Sequence, residues 1–218
     1  MKMLAVLKVS GHLYKHSHTV EKLVETIDTL VSQGTKFLIV PGGSIFADTV
    51  RELQLRTRLD DDTAHWMAIK AMEVYGLYIK SFSPRFVEAY TLEEIRRAVE
   101  ENLVPIVMPY KFLREHDVLP HSWSVTSDSI SIFIAHVVGA GLVILGKVVD
   151  GVRDAAGNLI RIARIEDVAH YTSDVIDAYA IPLARQYGIR IAVVNLTKPW
   201  LLQRVVNASL DDYTLIIP

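Results

Sequence analysis

Two lysines and three small-residue turns stand where this sequence could do chemistry. Lys8 closes an apolar run over 3–9 and precedes Ser10-Gly11-His12. Lys147 closes a second run over 141–145, after Gly146, and precedes Asp150-Gly151. A third run, 37–40, ends in Pro41-Gly42-Gly43-Ser44 and passes into a helix-like pattern. A glycine has no Cβ, so backbone there can approach a ligand closely. A helix start offers unpaired N–H groups and a partial positive charge to an anion. Lysine ammonium groups neutralise phosphoryl charge, and backbone N–H groups stabilise charge building on equatorial oxygens. Each piece alone is weak, since a Gly-Gly after a strand is commonly just a turn. Two lysines and two glycine turns gathered at one place could hold a triphosphate. There is no Gly-x4-Gly-Lys-Ser/Thr run, so a P-loop is not indicated.

Other reactive side chains have plainer readings. His12, His16 and His18 match no strong zinc spacing and have no carboxylate among them, which favours a polar loop over a metal site. His65 and Trp66 lie in an apolar helical pattern and read as packing residues, with acceptor contact as the lesser alternative. Trp123 could equally cover a ligand or bury a loop. Ser127-Asp128 lacks the Gly-x-Ser-x-Gly elbow that a hydrolase of that kind would use.

The elements that must position these residues are legible from periodicity. Short apolar runs over 3–9, 37–40, 86–89, 104–108, 141–145, 189–194 and 214–217 read as strands. Amphipathic spacing predicts helices over 19–33, 45–58, 64–78, 92–101 and 129–138. Further helices are expected over 174–187, kinked at Pro182, and over 199–206. Residues 148–152 and 159–162 flank a polar turn and predict a hairpin. Strands apolar throughout are buried on both faces, so the sheet is mainly parallel and covered by helices on each side. The expected architecture is one α/β domain over 1–218, a three-layer α/β/α sandwich. Ligands in such sheets bind at the carboxyl ends of the strands. That rim would carry Lys8, Gly11, Gly42, Gly43, Ser44, Lys147, Asp150 and Asn195.

Composition narrows the partners. Half of the 218 residues are hydrophobic and the formal net charge is −2, which gives no reason to expect nucleic acid. Cysteine is absent, which excludes disulfides and thiolate chemistry. With no signal-peptide pattern and no apolar stretch of membrane-spanning length, a cytoplasmic location away from membranes is expected. The nearly all-apolar helix over 64–78 predicts a homo-oligomer.

The ordered motifs Lys8-Val9-Ser10-Gly11, Val40-Pro41-Gly42-Gly43-Ser44, Ser127-Asp128 and Val149-Asp150-Gly151-Val152 resemble those of the amino acid kinase family, across nearly the whole chain. Residues 46–51, 64–69 and 123–128 look closest to its archaeal branch acting on aminomethylfuran-methyl phosphate in methanofuran synthesis, with relatives near tetrahydromethanopterin genes. The resemblance implies phosphoryl transfer from ATP, with Mg2+ brought by the nucleotide, to a small phosphomonoester or carboxylate, in archaeal C1-cofactor biosynthesis. By the same match Lys8 would hold the transferring phosphoryl group, and Gly11, Gly42 and Gly43 would supply backbone donors beside Ser44. Asp128 would orient the lysines rather than act as a base, and Lys147, Asp150 and Gly151 would lie on the ATP side. Asp48, Arg51 and Ser127 would face the acceptor, the arginine fork suiting a phosphate or carboxylate.

The chain departs from the family pattern at Ser10 and Ser44, where glycines are common, and at Leu196 and Tyr213 near the C-terminus. If the family's turn is kept, Leu196 conflicts with a positive φ. Two readings therefore stand: an active small-molecule kinase, or a kinase-fold protein without catalysis that binds a nucleotide or oxyanion as sensor, storage or partner subunit.

Overall fold

The computed structural model describes residues 4–172 and 174–218. Met3, expected to open the first strand, lies outside them. The chain runs β1 (Leu4–Val9), α1 (Ser17–Ser32), β2 (Lys36–Pro41), α2 (Ser44–Thr57), α3 (Asp61–Lys80), β3 (Phe86–Ala89), α4 (Leu92–Glu100), β4 (Val104–Val107), α5 (Pro109–Glu115), α6 (Ser127–Val138), β5 (Leu142–Lys147), β6 (Ile162–Arg164), α7 (Ile165–Val168), α8 (Ala180–Tyr187), β7 (Arg190–Asn195), α9 (Leu201–Val206) and β8 (Thr214–Ile217). The strands form one sheet in the order β3-β4-β2-β1-β5-β7-β8-β6. Its pairings are parallel except β7 with β8, which is antiparallel.

The central strands are buried on both faces, and their side chains alternate between two cores. In β1, Val6 joins a core with Ile130, Ile134 and Phe112, whereas Ala5, Leu7 and Val9 join one with Leu23, Ile27 and Leu202. Helices α4, α5, α6 and α8 thus cover one face, α1 and α9 the other, and α3 contributes to both. This is the three-layer α/β/α arrangement with a mainly parallel sheet.

The period of two then decides where the lysines point. Val6 pairs in register with Val143, and Lys8 with Leu145. Lys8 is two residues beyond Val6, and Lys147 is four beyond Val143. Both lysines therefore leave the sheet on the α6 side.

Some local expectations fail for identifiable reasons. The predicted hairpin is reduced to one antiparallel bridge, Arg153 to Leu159, because Ile162–Arg164 pairs parallel with β8 instead. Residues 174–179 are turns rather than helix, and α8 begins at Ala180. Pro182 therefore stands in the first turn, where its missing N–H costs little, and no kink arises. Residues after β4 form α5, with Pro109 opening it. The apolar character of α3 is largely spent within the chain: Ala64, Trp66, Ile69, Met72, Tyr75 and Ile79 are buried, while Val74 and Leu77 stay exposed. Leu196 lacks a positive φ and is fully buried. A Cβ at Gly146 would overlap its side chain, so this glycine makes room for the leucine.

Candidate active site

A cavity of about 340 Å3 opens at the carboxyl ends of β1, β2 and β5. Lys8, Gly11, Gly43, Ser44 and Lys147 line it at the sheet edge. Asp48 and Arg51 on α2, His65 on α3, and Trp123 and Ser127 before and at the start of α6 line the opposite wall.

The floor is a buried cation–anion–cation array. The Lys8 Nζ lies 3.0 Å from Asp128 Oδ1, without the angle of a hydrogen bond, and the Lys147 Nζ donates to Asp128 Oδ2 at 2.5 Å. The side chains are only 6%, 3% and 15% exposed for Lys8, Asp128 and Lys147. Burial pushes the Asp128 carboxyl upward, but the two ammonium groups overcome it and hold the group down at about 2. Burial, and then the neighbouring Lys8 ammonium, push Lys147 down to about 8 against the opposing pull of Asp128. Asp128 is thus a fixed anion, unsuited to accepting a proton at neutral pH. Its place follows from the helix start: Thr126 is the N-cap of α6, and its hydroxyl accepts from the Asp128 N–H at 3.4 Å.

The two turns lock together by backbone. A Cβ at Gly11 would overlap the Ser44 backbone nitrogen, so only glycine allows this approach. Gly42 does not line the cavity; its N–H donates to Val9 O at 2.9 Å. The donors left at this turn are those of Gly43 and the first turn of α2. Ser44 takes φ 54, a left-handed conformation disfavoured for serine and open to glycine. Tyr75 on α3 donates to Ser10 O at 3.2 Å and ties the first turn to the helix layer.

Asp48 and Arg51 lie one turn apart on α2 and both face the cavity. Among the described ion pairs neither appears. The Arg51 guanidinium instead stacks 4.3 Å over Trp123, whose indole N–H donates to Gln54 at 2.6 Å. Trp123 thus both lines the cavity and pins its loop. His65 is packed and cavity-lining at once: its ring stacks on His121 at 4.1 Å. Burial, and then the His121 charge, lower His65 to about 4, so it is neutral. Hydrogen bonds to Asp117 and Asp62 outweigh burial and raise His121.

Asp150 and Gly151 sit outside this cavity. Asp150 binds Lys198 at 2.6 Å and the Asn195 amide at 2.9 Å, a cluster beside the ends of β5 and β7. Gly151 is buried with φ 138 against Thr214. Among the described residues no group of three histidine or acidic side chains could hold a metal ion, and His12 alone of the three N-terminal histidines lines the cavity. No helix among the described residues is long and apolar enough to cross a membrane.

Two participants escaped the sequence. His121 completes the stacked wall behind His65. Asp177, between α7 and α8, accepts from Thr126 and Ser129 at the start of α6 and from Tyr179 and Ala180 at the start of α8. Neither a histidine in a loop nor a lone Asp in a stretch with helical spacing carries a local signal for its role.

The sequence matches the model of the amino acid kinase family over residues 3–195. It is 29% identical over 216 residues to the [5-(aminomethyl)furan-3-yl]methyl phosphate kinase of Methanocaldococcus jannaschii, covering 97% of each chain. The fold is similar to that of the UMP kinase of Ureaplasma parvum (TM-score 0.79, 21% identity, 100% of this chain and 97% of that one). It is also similar to uridylate kinase of Archaeoglobus fulgidus (TM-score 0.76, 18% identity, 99% and 100%). With paired lysines around a buried aspartate at the strand ends, and a family match over most of its length, the chain is a small-molecule kinase and belongs to the amino acid kinase family.

Proposed function

We propose that the protein transfers the γ-phosphoryl group of Mg-ATP to the phosphate of a small phosphomonoester that also carries an amine, in C1-cofactor biosynthesis. One observation carries the reading: the Lys8–Asp128–Lys147 array and the Arg51–Asp48 pair line or underlie one cavity. An acceptor phosphate oxygen attacks phosphorus, the bond to the β-phosphate oxygen breaks, and ADP leaves. Lys8 and Lys147 neutralise the charge on the transferring group, while the amides of Gly11, Gly43 and the first turn of α2 bind its oxygens. Asp128 holds the two ammonium groups apart and in place. Magnesium, brought by the nucleotide, would neutralise the β- and γ-phosphates. Asp150, Gly151 and Asn195 are assigned to the nucleotide side, next to Lys147.

Arg51 suits the acceptor's phosphate, since its fork binds such groups bidentately. Asp48 suits an ammonium, and Trp123 and neutral His65 suit a flat ring between them. The relative's substrate, an aminomethylfuran carrying a methyl phosphate, combines those three features and supports this choice over a carboxylate. The packed Leu196 and the glycine-like backbone of Ser44 favour an active enzyme over a catalytically silent binder. Exposed Leu55, Val74 and Leu77 support self-association, which light scattering tests.

The deciding experiment supplies labelled Mg-ATP with a panel of phosphomonoesters and carboxylates, including [5-(aminomethyl)furan-3-yl]methyl phosphate. Transfer to an amine-bearing phosphomonoester, abolished by Lys8→Ala, is expected. Calorimetric binding of Mg-ATP without transfer to any acceptor would establish the silent binder instead, and unchanged turnover in Lys8→Ala would overturn the assigned roles.

A further inference from the structure

Asp128 is held by little besides the two lysines it is meant to organise. Its Oδ1 faces Lys8 and has no hydrogen-bond partner. Its Oδ2 receives Lys147 and, at 3.2 Å, the backbone N–H of Asp177. Among the described residues this N–H is the one backbone donor to the Asp128 carboxylate.

The Asp177 side chain is in turn clamped by the very helix start that carries Asp128. Its Oδ2 accepts from Thr126 N at 2.9 Å, Thr126 Oγ1 at 2.7 Å and Ser129 N at 3.0 Å. Its Oδ1 accepts from Ser129 Oγ, from Ala180 N at 2.9 Å and from Tyr179 N at 3.2 Å. Six donors converge on one carboxylate, four of them backbone N–H groups that cannot rotate. The side chain thus fastens the segment before α8 to the start of α6, and the backbone of the same residue reaches Asp128. We infer that Asp177 is a positioning residue for phosphoryl transfer: its clamp fixes the N–H that sets the Asp128 carboxylate between Lys8 and Lys147.

The inference rests on the kinase reading, in which Asp128 organises the lysines. The charged groups facing Asp128 are Lys8 from β1 and Lys147 from β5; His12 and Asp174 line the cavity beyond them. Releasing Asp128 from Lys147 removes the anion that raises the lysine, so its titration moves to lower pH. Asp177→Asn serves as the perturbation, because an amide NH2 must meet fixed N–H donors on one side or the other. Ser129→Ala removes a single side-chain donor at a fully buried position, and serves if Asp177→Asn fails to fold.

Two readouts are needed. Lysine Cε resonances followed by NMR against pH give the Lys147 titration without reference to turnover. Steady-state kinetics give kcat and both KM values. Expected for Asp177→Asn is a Lys147 midpoint at least 0.5 pH below wild type, an alkaline limb of kcat displaced with it, and kcat reduced roughly 10–100-fold, with KM for ATP changed less than about 3-fold. Ser129→Ala should move both in the same sense and less far. A variant with lowered thermal stability but an unmoved Lys147 midpoint and full kcat per folded molecule would show a merely structural clamp and overturn the inference. Absence of transfer by the wild type would defeat the kinase reading instead, leaving the NMR arm to decide the geometry.

Discussion

Replacing Lys147 by methionine should make the protein more stable and nearly inactive. The ordinary lysine value of 10.5 is lowered to about 8 in the folded chain. At about 1.4 kcal/mol per pH unit, holding this charge in the folded state costs on the order of 3 kcal/mol at neutral pH. Methionine has a comparable stem, removes the charge, and leaves Lys8 and Asp128 as a balanced pair. Asp128 then loses one of its two partners and recovers less of its own burial cost, so part of the gain is cancelled. A net stabilisation of about 1–2 kcal/mol is expected, read from urea unfolding of the ligand-free proteins at pH 7. Turnover should fall by about 10^2–10^3 or more, as for loss of one preorganised charge-stabilising group. The pH dependence sharpens the test. Between pH 8 and 10.5 the unfolded chain still holds the Lys147 proton while the folded chain has released it. Wild-type stability therefore gains from this group as pH rises through that window, and the advantage of the variant should vanish by its upper end. A variant destabilised by more than about 1 kcal/mol, or a difference that is flat across that window, would refute the account of the array as strained by burial and, after it, by like charge.

Ser44→Gly should raise stability by about 0.5–1 kcal/mol in thermal melts, because glycine adopts the left-handed conformation without penalty; a loss would mean the hydroxyl makes a contact worth more. Arg51→Ala should raise KM for the acceptor about 10–100-fold while KM for ATP stays within about 2-fold, and equal effects on both would remove Arg51 from the acceptor side. The Asp128 value of about 2 lies below its ordinary 3.8, so its contribution is complete above pH 4 and lost as pH falls towards 2. Acid unfolding should accordingly be steeper in wild type than in Asp128→Asn, by about 2 kcal/mol across that interval, and parallel curves would contradict the assignment.

The parts of the site that could be read from sequence are those with a local cause. Lys8, Gly11, Gly43 and Lys147 sit at the ends of apolar runs, and an apolar run predicts both a strand and the rim on which its last residue stands. Asp128 became visible only through the resemblance of Ser127-Asp128 to a motif of the amino acid kinase family, because its cap at Thr126 shows in the folded chain alone. Asp150 and Gly151 were placed on the rim by the same strand-end logic; they lie outside the cavity, Asp150 on Lys198 and Gly151 against Thr214. What stayed hidden is set by tertiary contact. The pairing of β6 with β8 dissolves the expected hairpin, and nothing within 148–162 announces it. Asp177 looks like any helical aspartate until α6 is folded against it. Leu196 looks like a defect until Gly146 is seen to vacate the space it fills.

The common side taken by Lys8 and Lys147 has a consequence for how the gene can change. One residue gained or lost upstream within β1 would turn Lys8 away from α6, towards the layer of α1 and α9, and β5 is bound by the same parity through Lys147. Exchanges among the buried apolar residues of these strands alter volume and leave the parity intact, whereas a single insertion or deletion turns a lysine out of the array. A change of length keeps the array only if it falls in the connections, leaving the spacing from Val6 to Lys8 and from Val143 to Lys147 intact.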